Sequence, residues 1–264
     1  MMRSVFLKTL YDKRWFIFGW FVGFGFLSFL MVIFFPAMHQ DGALDALMKS
    51  MPPALQGMVG DLANLREFST YLASQLFDIR LAMLSGVMVI ILGLGLTVAE
   101  EEKGQLRTLT SFPISRGRIL IEKLIAMMVI FAIVLLGMLP GLWFGNFFVA
   151  DTIAVDVLVR LLFMNWLLCL ALGSVVFGVG LATGKRAIAM TVGMVVVVGG
   201  FILLTFAQAV DWLDPYKIYS PLHYFPAVDV AKVGIALGDV LVLTSIAILS
   251  VLIGWVFFRK RDIK

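Results

Sequence analysis

Six long apolar runs, separated by shorter polar segments, form the main pattern of this chain. Each run has roughly 19 to 26 residues, enough for a helix that rises about 1.5 Å per residue to cross a hydrocarbon core of about 30 Å. The pattern predicts an all-α, polytopic membrane protein with six transmembrane helices. The runs cover residues 15–35, 81–99, 124–144, 157–182, 187–207 and 240–258.

Composition agrees with this class. Hydrophobic residues make up 61% of the 264 residues, charged residues make up 14%, and the mean hydropathy is +1.02. A soluble globular protein needs far more polar surface than this composition supplies. We therefore expect one transmembrane domain over residues 1–264.

Basic residues are distributed unequally between the two sides that six spans create. Because Lys and Arg are retained on the cytoplasmic side, the richer side is predicted to be cytoplasmic, together with both termini. The net charge of +4 does not indicate nucleic-acid binding, since these residues lie at span ends, where topology and anionic lipid headgroups explain them. Fifteen of the 21 basic residues lie on the richer side: Arg3, Lys8, Lys13, Arg14, Lys103, Arg107, Arg116, Arg118, Lys123, Lys185, Arg186, Arg259, Lys260, Arg261 and Lys264.

The polar segments before and between the apolar runs are predicted to have different roles. Residues 1–14 alternate apolar and basic positions, which predicts a short amphipathic helix in the headgroup layer or, alternatively, a basic tail that only sets topology. Residues 36–80 are predicted to form amphipathic helices on the outer surface. Residues 208–238, rich in aromatic residues and proline, are predicted to enter the outer interface. Residues 100–123 form the cytoplasmic segment.

Glycine and small polar residues recur inside the runs. Glycines spaced four residues apart, as in Gly137, Gly141 and Gly145, predict close helix packing, either within the subunit or across a dimer. The pairs Gly19 with Gly23 and Gly180 with Gly184 have the same spacing. Small polar residues are candidates to face a central cavity between two copies of the chain: Ser28, Ser85, Thr97, Asn165 and Thr205.

The apolar runs contain few side chains that could bind an ion or take part in catalysis. They contain no Asp, Glu, His or Lys, and their one Arg, Arg160, lies near an end, so coupling to an ion gradient is disfavoured. Residues 179–186 (VGLATGKR) lack the first Gly and the final Ser or Thr of a phosphate loop. We expect no catalytic residue, no cofactor site and no metal site. The adjacent residues Glu100, Glu101 and Glu102 could be considered as metal ligands, but on a helix they point in different directions, which favours a solvated helix end.

The cytoplasmic segment 100–123 is the most informative part of the chain. Residues 105–112 place Leu106, Leu109 and Phe112 on one face of a short helix. Pro113 ends that helix, and Ser115 can cap the next one. A helix this short cannot fold alone, so its apolar face is predicted to contact another protein, although a stabilising cytoplasmic cap without a partner is the alternative.

This segment, together with six spans, resembles the membrane subunit of a type-2 ATP-binding-cassette (ABC) exporter. Members of that family carry the pattern E-x-G-x-L-x-x-L-x-x-x-P-[VI]-S-R followed by Lys, while YSPLHYF at 219–225 and FRKRDIK at 258–264 add weaker likeness. Gln105 and Arg107 depart from the family's usual Thr and Glu. The pattern is met here by Glu102, Gly104, Leu106, Leu109, Pro113, Ile114, Ser115, Arg116 and Lys123.

The resemblance implies a function and partners. In the family the cytoplasmic segment forms a coupling helix that docks on a separate ATPase, which binds ATP and Mg²⁺, and the permease works as a homodimer or a closely related heterodimer with two ATPases. Residues 1–14 would correspond to the family's connecting helix. The ATPase contact would be formed by Glu102, Gly104, Leu106, Arg107, Leu109, Phe112, Pro113, Ser115 and Arg116.

The expected function is therefore export of a hydrophobic or amphipathic substrate across a prokaryotic plasma membrane, driven by ATP that another subunit hydrolyses. Two alternatives stay open at this stage. One is an intramembrane enzyme, and the other is a sensory or mechanical membrane subunit that binds an ATPase but transports nothing.

Overall fold

The structure, a computed structural model, describes residues 4–39, 67–104, 115–149, 151–207 and 210–261, and this part of the chain is all-α. Its α-helices are Val5–Asp12, Arg14–His39, Phe68–Leu72, Ala82–Leu96, Val98–Glu102, Arg116–Leu136, Met138–Gly145, Val155–Thr183, Arg186–Met194, Gly200–Ala207, Ala227–Lys232 and Leu237–Lys260. Two π-helices, Ala73–Leu81 and Val195–Gly199, and two 3-10 helices, Asp211–Tyr219 and Pro221–Tyr224, complete the set.

Six of the helical stretches are long and apolar enough to cross a membrane, which confirms the prediction of six spans. The helix Val5–Asp12 precedes them and is called the N-terminal helix. Spans 1 to 6 are Arg14–Pro36, Phe68–Glu102, Arg116–Gly145, Val155–Thr183, Arg186–Ala207 and Leu237–Lys260.

Span 2 is longer than its apolar run, because helix begins at Phe68 rather than at residue 81. The added part is largely the π-helix Ala73–Leu81, which contains Asp78 and Arg80. It remains helical although polar, since its polar side chains find partners within the protein: Arg80 donates 2.8 Å to the side-chain oxygen of Gln75. These ionisable residues lie outside the apolar run 81–99, which itself contains none, so the expectation that ion coupling is disfavoured stays a prediction.

Spans 2 and 4 form the interior of the bundle, while spans 1, 5 and 6 are largely exposed. Phe131 from span 3 and Phe177 from span 4 are fully buried, together with Met88 from span 2. Spans 4 and 6 approach most closely at two glycines, since a Cβ atom on Gly254 would lie 2.7 Å from the Cα of Gly178. Small residues thus allow backbone contact without a bulky side chain between the helices.

The predicted glycine rows differ in what they contact. The row in span 3 packs against span 1, where a Cβ on Gly141 would lie 2.8 Å from the carbonyl carbon of Gly25, so this prediction is confirmed. A Cβ on Gly19 or Gly23 would meet nothing within 4 Å in the subunit, so the packing of this pair against a second copy stays a prediction. Gly184 ends span 4 in the left-handed conformation, with φ of 61°, which starts the turn to span 5.

Most of the small polar residues predicted to face a cavity are instead inside the subunit. Ser28, Ser85, Thr97 and Asn165 are buried, and only Thr205 is partly exposed. Ser28 bridges spans 1 and 3 by donating 2.9 Å to the carbonyl of Met138. Thr97 likewise donates 2.8 Å to the carbonyl of Gly93, so both hydroxyls find the partner that a polar group needs away from water.

At the end of the bundle opposite Glu102 and Arg116, the segment before span 6 exposes aromatic rings. Trp212, Tyr216 and Tyr219 are exposed, whereas Phe225 is buried. Exposed aromatic rings beside span ends are typical of a membrane interface. The outer segment predicted at 36–80 lies mainly in residues 40–66, which are outside the described residues. At its two ends the prediction is wrong, because the helix of span 1 continues to His39 and span 2 begins at Phe68.

Replacing Gly141 with Leu tests the contact of spans 1 and 3. The added side chain has no room beside Gly25, and overpacking of this kind costs about 1–3 kcal/mol of unfolding free energy. Unfolding of the purified protein in detergent, followed by circular dichroism, measures the change. Gly19→Leu is the matched control, because its side chain meets open space and should leave stability unchanged. Equal stability of the two variants contradicts the packing described here.

Candidate coupling site at the basic end of the bundle

Three adjacent carboxylates at the end of span 2 contact three different spans. Glu100 pairs with Lys123 of span 3 at 2.7 Å. Glu101 pairs with Arg261, which follows span 6. Glu102 lies 3.6 Å from Arg186, the first residue of span 5. We call Glu100, Glu101 and Glu102 the glutamate triplet, and we call this end of the bundle the basic end.

The triplet reaches three spans because successive side chains of a helix point about 100° apart. The sequence prediction that the carboxylates diverge is therefore confirmed, but their interpretation as a solvated helix end is wrong for Glu100 and Glu101 and holds only for Glu102, which is exposed. Glu100 is buried, and Glu101 is partly buried. Within the described residues, no group of three His, Cys, Asp or Glu side chains could hold a metal ion.

The pair of Glu100 and Lys123 is the most buried ion pair at this end. Their side chains are 11% and 3% exposed, respectively. Lys123 also donates 2.7 Å to the carbonyl of Leu96, near the end of span 2. Removing both charges from water is costly, so each needs the other and the added hydrogen bond to be stable there. The pair therefore holds together the two spans that flank the predicted coupling segment.

The N-terminal helix joins the same site through Lys13. A Cβ on Gly95 of span 2 would lie 2.6 Å from Lys13 Nζ, so the ammonium group lies directly against this glycine. Burial lowers the pKa of Lys13, while the nearby charge of Glu100 acts in the opposite direction. The start of span 1 is thereby brought next to the Glu100–Lys123 pair.

A carboxylate of span 3 caps the N-terminal helix. Glu122 accepts hydrogen bonds of 3.0 Å from the Ser4 hydroxyl and from the backbone N–H of Phe6, and 2.8 Å from Arg118. A carboxylate at this position satisfies backbone donors and is favoured by the helix dipole. The predicted amphipathic helix is confirmed as a helix, and its buried face contains Val5 and Thr9.

The residues predicted to contact an ATPase fall into two groups. Leu106, Arg107, Leu109, Phe112 and Pro113 lie outside the described residues, as does Ile114. The others surround that gap at the basic end: Glu102, Gly104, Ser115 and Arg116.

These flanking residues have clear structural roles. Gly104 adopts a φ of 68° just after span 2 ends, a conformation that favours glycine. Ser115 caps span 3 by accepting from Arg118 N, as predicted. Arg116 donates to the carbonyls of Phe258 at 3.3 Å and Arg261 at 3.2 Å, which connects span 3 to span 6.

Sequence reasoning missed these pairings across the bundle. The signal was present, since a run of three Glu at one span end is matched by basic residues at the nearby ends of spans 3, 5 and 6. Which acid meets which base depends on how the spans pack, and a single sequence does not supply that arrangement.

The Glu100–Lys123 pair can be tested by a double-mutant cycle. Lys123→Met leaves a buried carboxylate without its cation and should lower the free energy of unfolding by about 3 kcal/mol. Adding Glu100→Leu should recover most of the lost unfolding free energy, because neither charge of the buried pair then remains. Denaturant unfolding in detergent micelles measures the cycle. Lys8→Met is the control, since Lys8 and Asp12 form an exposed pair worth less than about 1 kcal/mol. Additive effects at Glu100 and Lys123 contradict the pairing.

Comparison with known proteins gives one family model that matches nearly the whole helical bundle. The family model described as "Multidrug efflux system permease Rv1217c, C-terminal domain" matches residues 9–259, from the N-terminal helix to the end of span 6. A search of the curated proteins found no match. The match includes all six spans and the glutamate triplet, so it does not depend on one local motif. The chain is thus a multi-pass membrane permease and belongs to the family of that multidrug efflux system permease.

Proposed function

We propose that this chain is the membrane subunit of an ABC exporter and that it uses ATP hydrolysed by a separate ATPase. The observation that carries this proposal is that the glutamate triplet ends span 2 and forms ion pairs with spans 3, 5 and 6, while residues 105–114 follow it in the sequence and lead to span 3. A force applied to this segment acts on span 2 through the chain itself. It acts on spans 3, 5 and 6 through the ion pairs of the triplet.

The transport cycle follows from that connection. Two ATPase subunits, each docked on one coupling segment, approach one another when they bind ATP and Mg²⁺. Leu106, Leu109 and Phe112 form the apolar contact, and the flanking residues Glu102 and Arg116 hold the ends of the segment. The change in affinity for nucleotide between two states of the permease supplies the free energy for substrate movement. The chain itself contributes no catalytic residue and binds no cofactor.

The exposed apolar surface supports an assembly of two permease copies, as a homodimer or a closely related heterodimer. Spans 5 and 6 are the least buried of the six, and they expose large side chains such as Val195, Phe206 and Leu241. Part of this surface faces lipid, and part is available to a second copy. Such an assembly also brings two coupling segments to the same side for two ATPases.

A groove between spans 2 and 5 is suited to the substrate. It has a volume of about 190 Å³ and an apolar lining that includes Met83, Met190 and Met194. Methionine side chains adapt to different shapes, which suits hydrophobic or amphipathic molecules of several kinds. This agrees with the multidrug efflux named in the family's description.

Leu109→Asp tests the docking step. The charge should prevent the apolar face from entering a hydrophobic groove and reduce ATPase recovery with the purified permease by at least about tenfold. Ser111→Asp is the matched control, because helical spacing places residue 111 on the opposite face of the segment. Retained association and unchanged ATP-dependent flux in Leu109→Asp vesicles contradict the proposal. Substrate flux without any ATPase indicates a different energy source. ATP hydrolysis by the complex without substrate flux indicates a sensory or mechanical subunit.

Cysteine labelling tests the proposed orientation, in which both termini and the basic end are cytoplasmic. Cys169 is buried, and Cys169→Ser provides a background without cysteine. Lys185 and Val233 are both exposed and lie at opposite ends of the bundle. In intact cells, a membrane-impermeant maleimide should label Val233→Cys, while Lys185→Cys should react only after permeabilisation. The reverse pattern places the coupling segment outside the cell and rules out the mechanism.

A further inference from the structure

A cationic cavity lies between the start of span 3 and the end of span 6. It has a volume of about 500 Å³, and its lining includes Arg116, Arg259, Lys260 and Arg261 around Gly117 and Trp255. The proposed transport cycle uses Arg116 at the end of the coupling segment but gives Arg259, Lys260 and Trp255 no role. We propose that it binds the headgroup of an anionic phospholipid.

Charge balance is the first argument for this ligand. Arg261 is neutralised by Glu101, but within the described part of the chain no carboxylate forms an ion pair with Arg116, Arg259 or Lys260. Arg116 donates to two backbone carbonyls, and Arg259 lies over the Trp255 ring at 5.7 Å. Among the described residues, three positive charges thus line one cavity and form no ion pair with an acid. An anion with several acceptor oxygens, such as a phosphodiester, matches this arrangement.

The shape of the cavity supports a bound headgroup. A Cβ on Gly117 would lie 3.4 Å from the edge of the Trp255 ring, so this glycine lets the two spans meet there. The first turn of span 3 begins beside the cavity and, apart from the donor that Ser115 satisfies, presents backbone N–H groups. These groups add to the positive potential that the side chains create.

The position of the cavity favours a lipid over a soluble anion. Ile121 and Ile125 follow Gly117 by one and two helical turns on the same face of span 3, and both are exposed. Leu252 and Ile248 continue the Trp255 face of span 6, and both are exposed as well. A phospholipid can therefore place its phosphate in the cavity while its acyl chains follow these apolar faces into the bilayer. Trp255 lies between the two regions, where tryptophan is typical of the membrane interface.

Native mass spectrometry of the purified full-length protein tests the proposal. The protein is titrated with phosphatidylglycerol, with phosphatidylcholine of the same acyl chains, and with phosphatidylglycerol in the presence of excess glycerol phosphate. We expect tighter binding of phosphatidylglycerol than of phosphatidylcholine, with little competition from glycerol phosphate. Equal binding of the two lipids overturns the proposal, and full competition by glycerol phosphate shows a soluble anion site instead.

The double variant Arg259→Gln with Lys260→Gln tests whether the lipid binds in this cavity. Both side chains are exposed, so the fold should be retained, which thermal unfolding without lipid verifies. Removing two charges next to an anionic headgroup should weaken phosphatidylglycerol binding about 30-fold. The swap Arg259→Lys with Lys260→Arg keeps the charge and should bind nearly as well as the unaltered protein.

A matched control removes two other charges from the basic end. Arg14→Gln with Lys185→Gln changes the net charge by the same amount away from the cavity and should leave the affinity within about threefold of the unaltered protein. An equal loss in both double variants indicates only a general charge effect and overturns the proposal. The double variant Arg259→Gln with Lys260→Gln has a further possible outcome. If it binds lipid unchanged but no longer associates with the ATPase, the cavity belongs to a protein partner, and the lipid proposal is overturned.

Discussion

The buried ion pair of Glu100 and Lys123 is the contact on which the basic end depends. It joins the end of span 2 to span 3, on either side of the segment that is proposed to receive force from an ATPase. Two charges withdrawn from water are stable only while they remain together, so this contact resists separation of the two spans. A purely apolar contact would allow the spans to slide, because lipid and side chain are almost equally apolar.

The other two carboxylates of the glutamate triplet extend this connection to spans 5 and 6, at the periphery of the bundle. Glu101 and Glu102 reach Arg261 and Arg186, so the ends of spans 5 and 6 are tied to the same short piece of helix. Lys13 and Glu122 bring the N-terminal helix to this end. A displacement of the coupling segment therefore acts on several spans at once. The glycine contacts between spans 1 and 3 and between spans 4 and 6 limit how far neighbouring helices can adjust.

Positive charge at the basic end has two different environments. Lys123, Arg186 and Arg261 are paired with carboxylates and hold the bundle together. Arg116, Arg259 and Lys260 surround a cavity that opens beside apolar faces of spans 3 and 6. The positive-inside pattern accounts for both groups equally, since it depends only on the number and side of the basic residues. Their separate roles come from the positions of the acids.

The sequence by itself determined the class of the protein, the number of spans and the Ser115 cap that begins span 3. Long apolar runs have one stable solution in a bilayer, because only a helix satisfies its backbone polar groups within the segment. Ser115 could be assigned as a cap for a similar reason, since capping depends on neighbouring residues alone. The coupling motif also gave the family resemblance, which the family match supports.

Only the tertiary structure decided which polar groups are buried and what they contact. Hydropathy predicted that span 2 begins at residue 81, whereas its helix begins at Phe68, and Arg80 donates to Gln75 within the added part. Ser28 and Asn165 were expected near a cavity but lie inside the subunit. The partners of the glutamate triplet are separated by up to 160 residues along the chain. Pairing over such distances depends on how six helices pack, and a periodic pattern within each helix does not determine that packing.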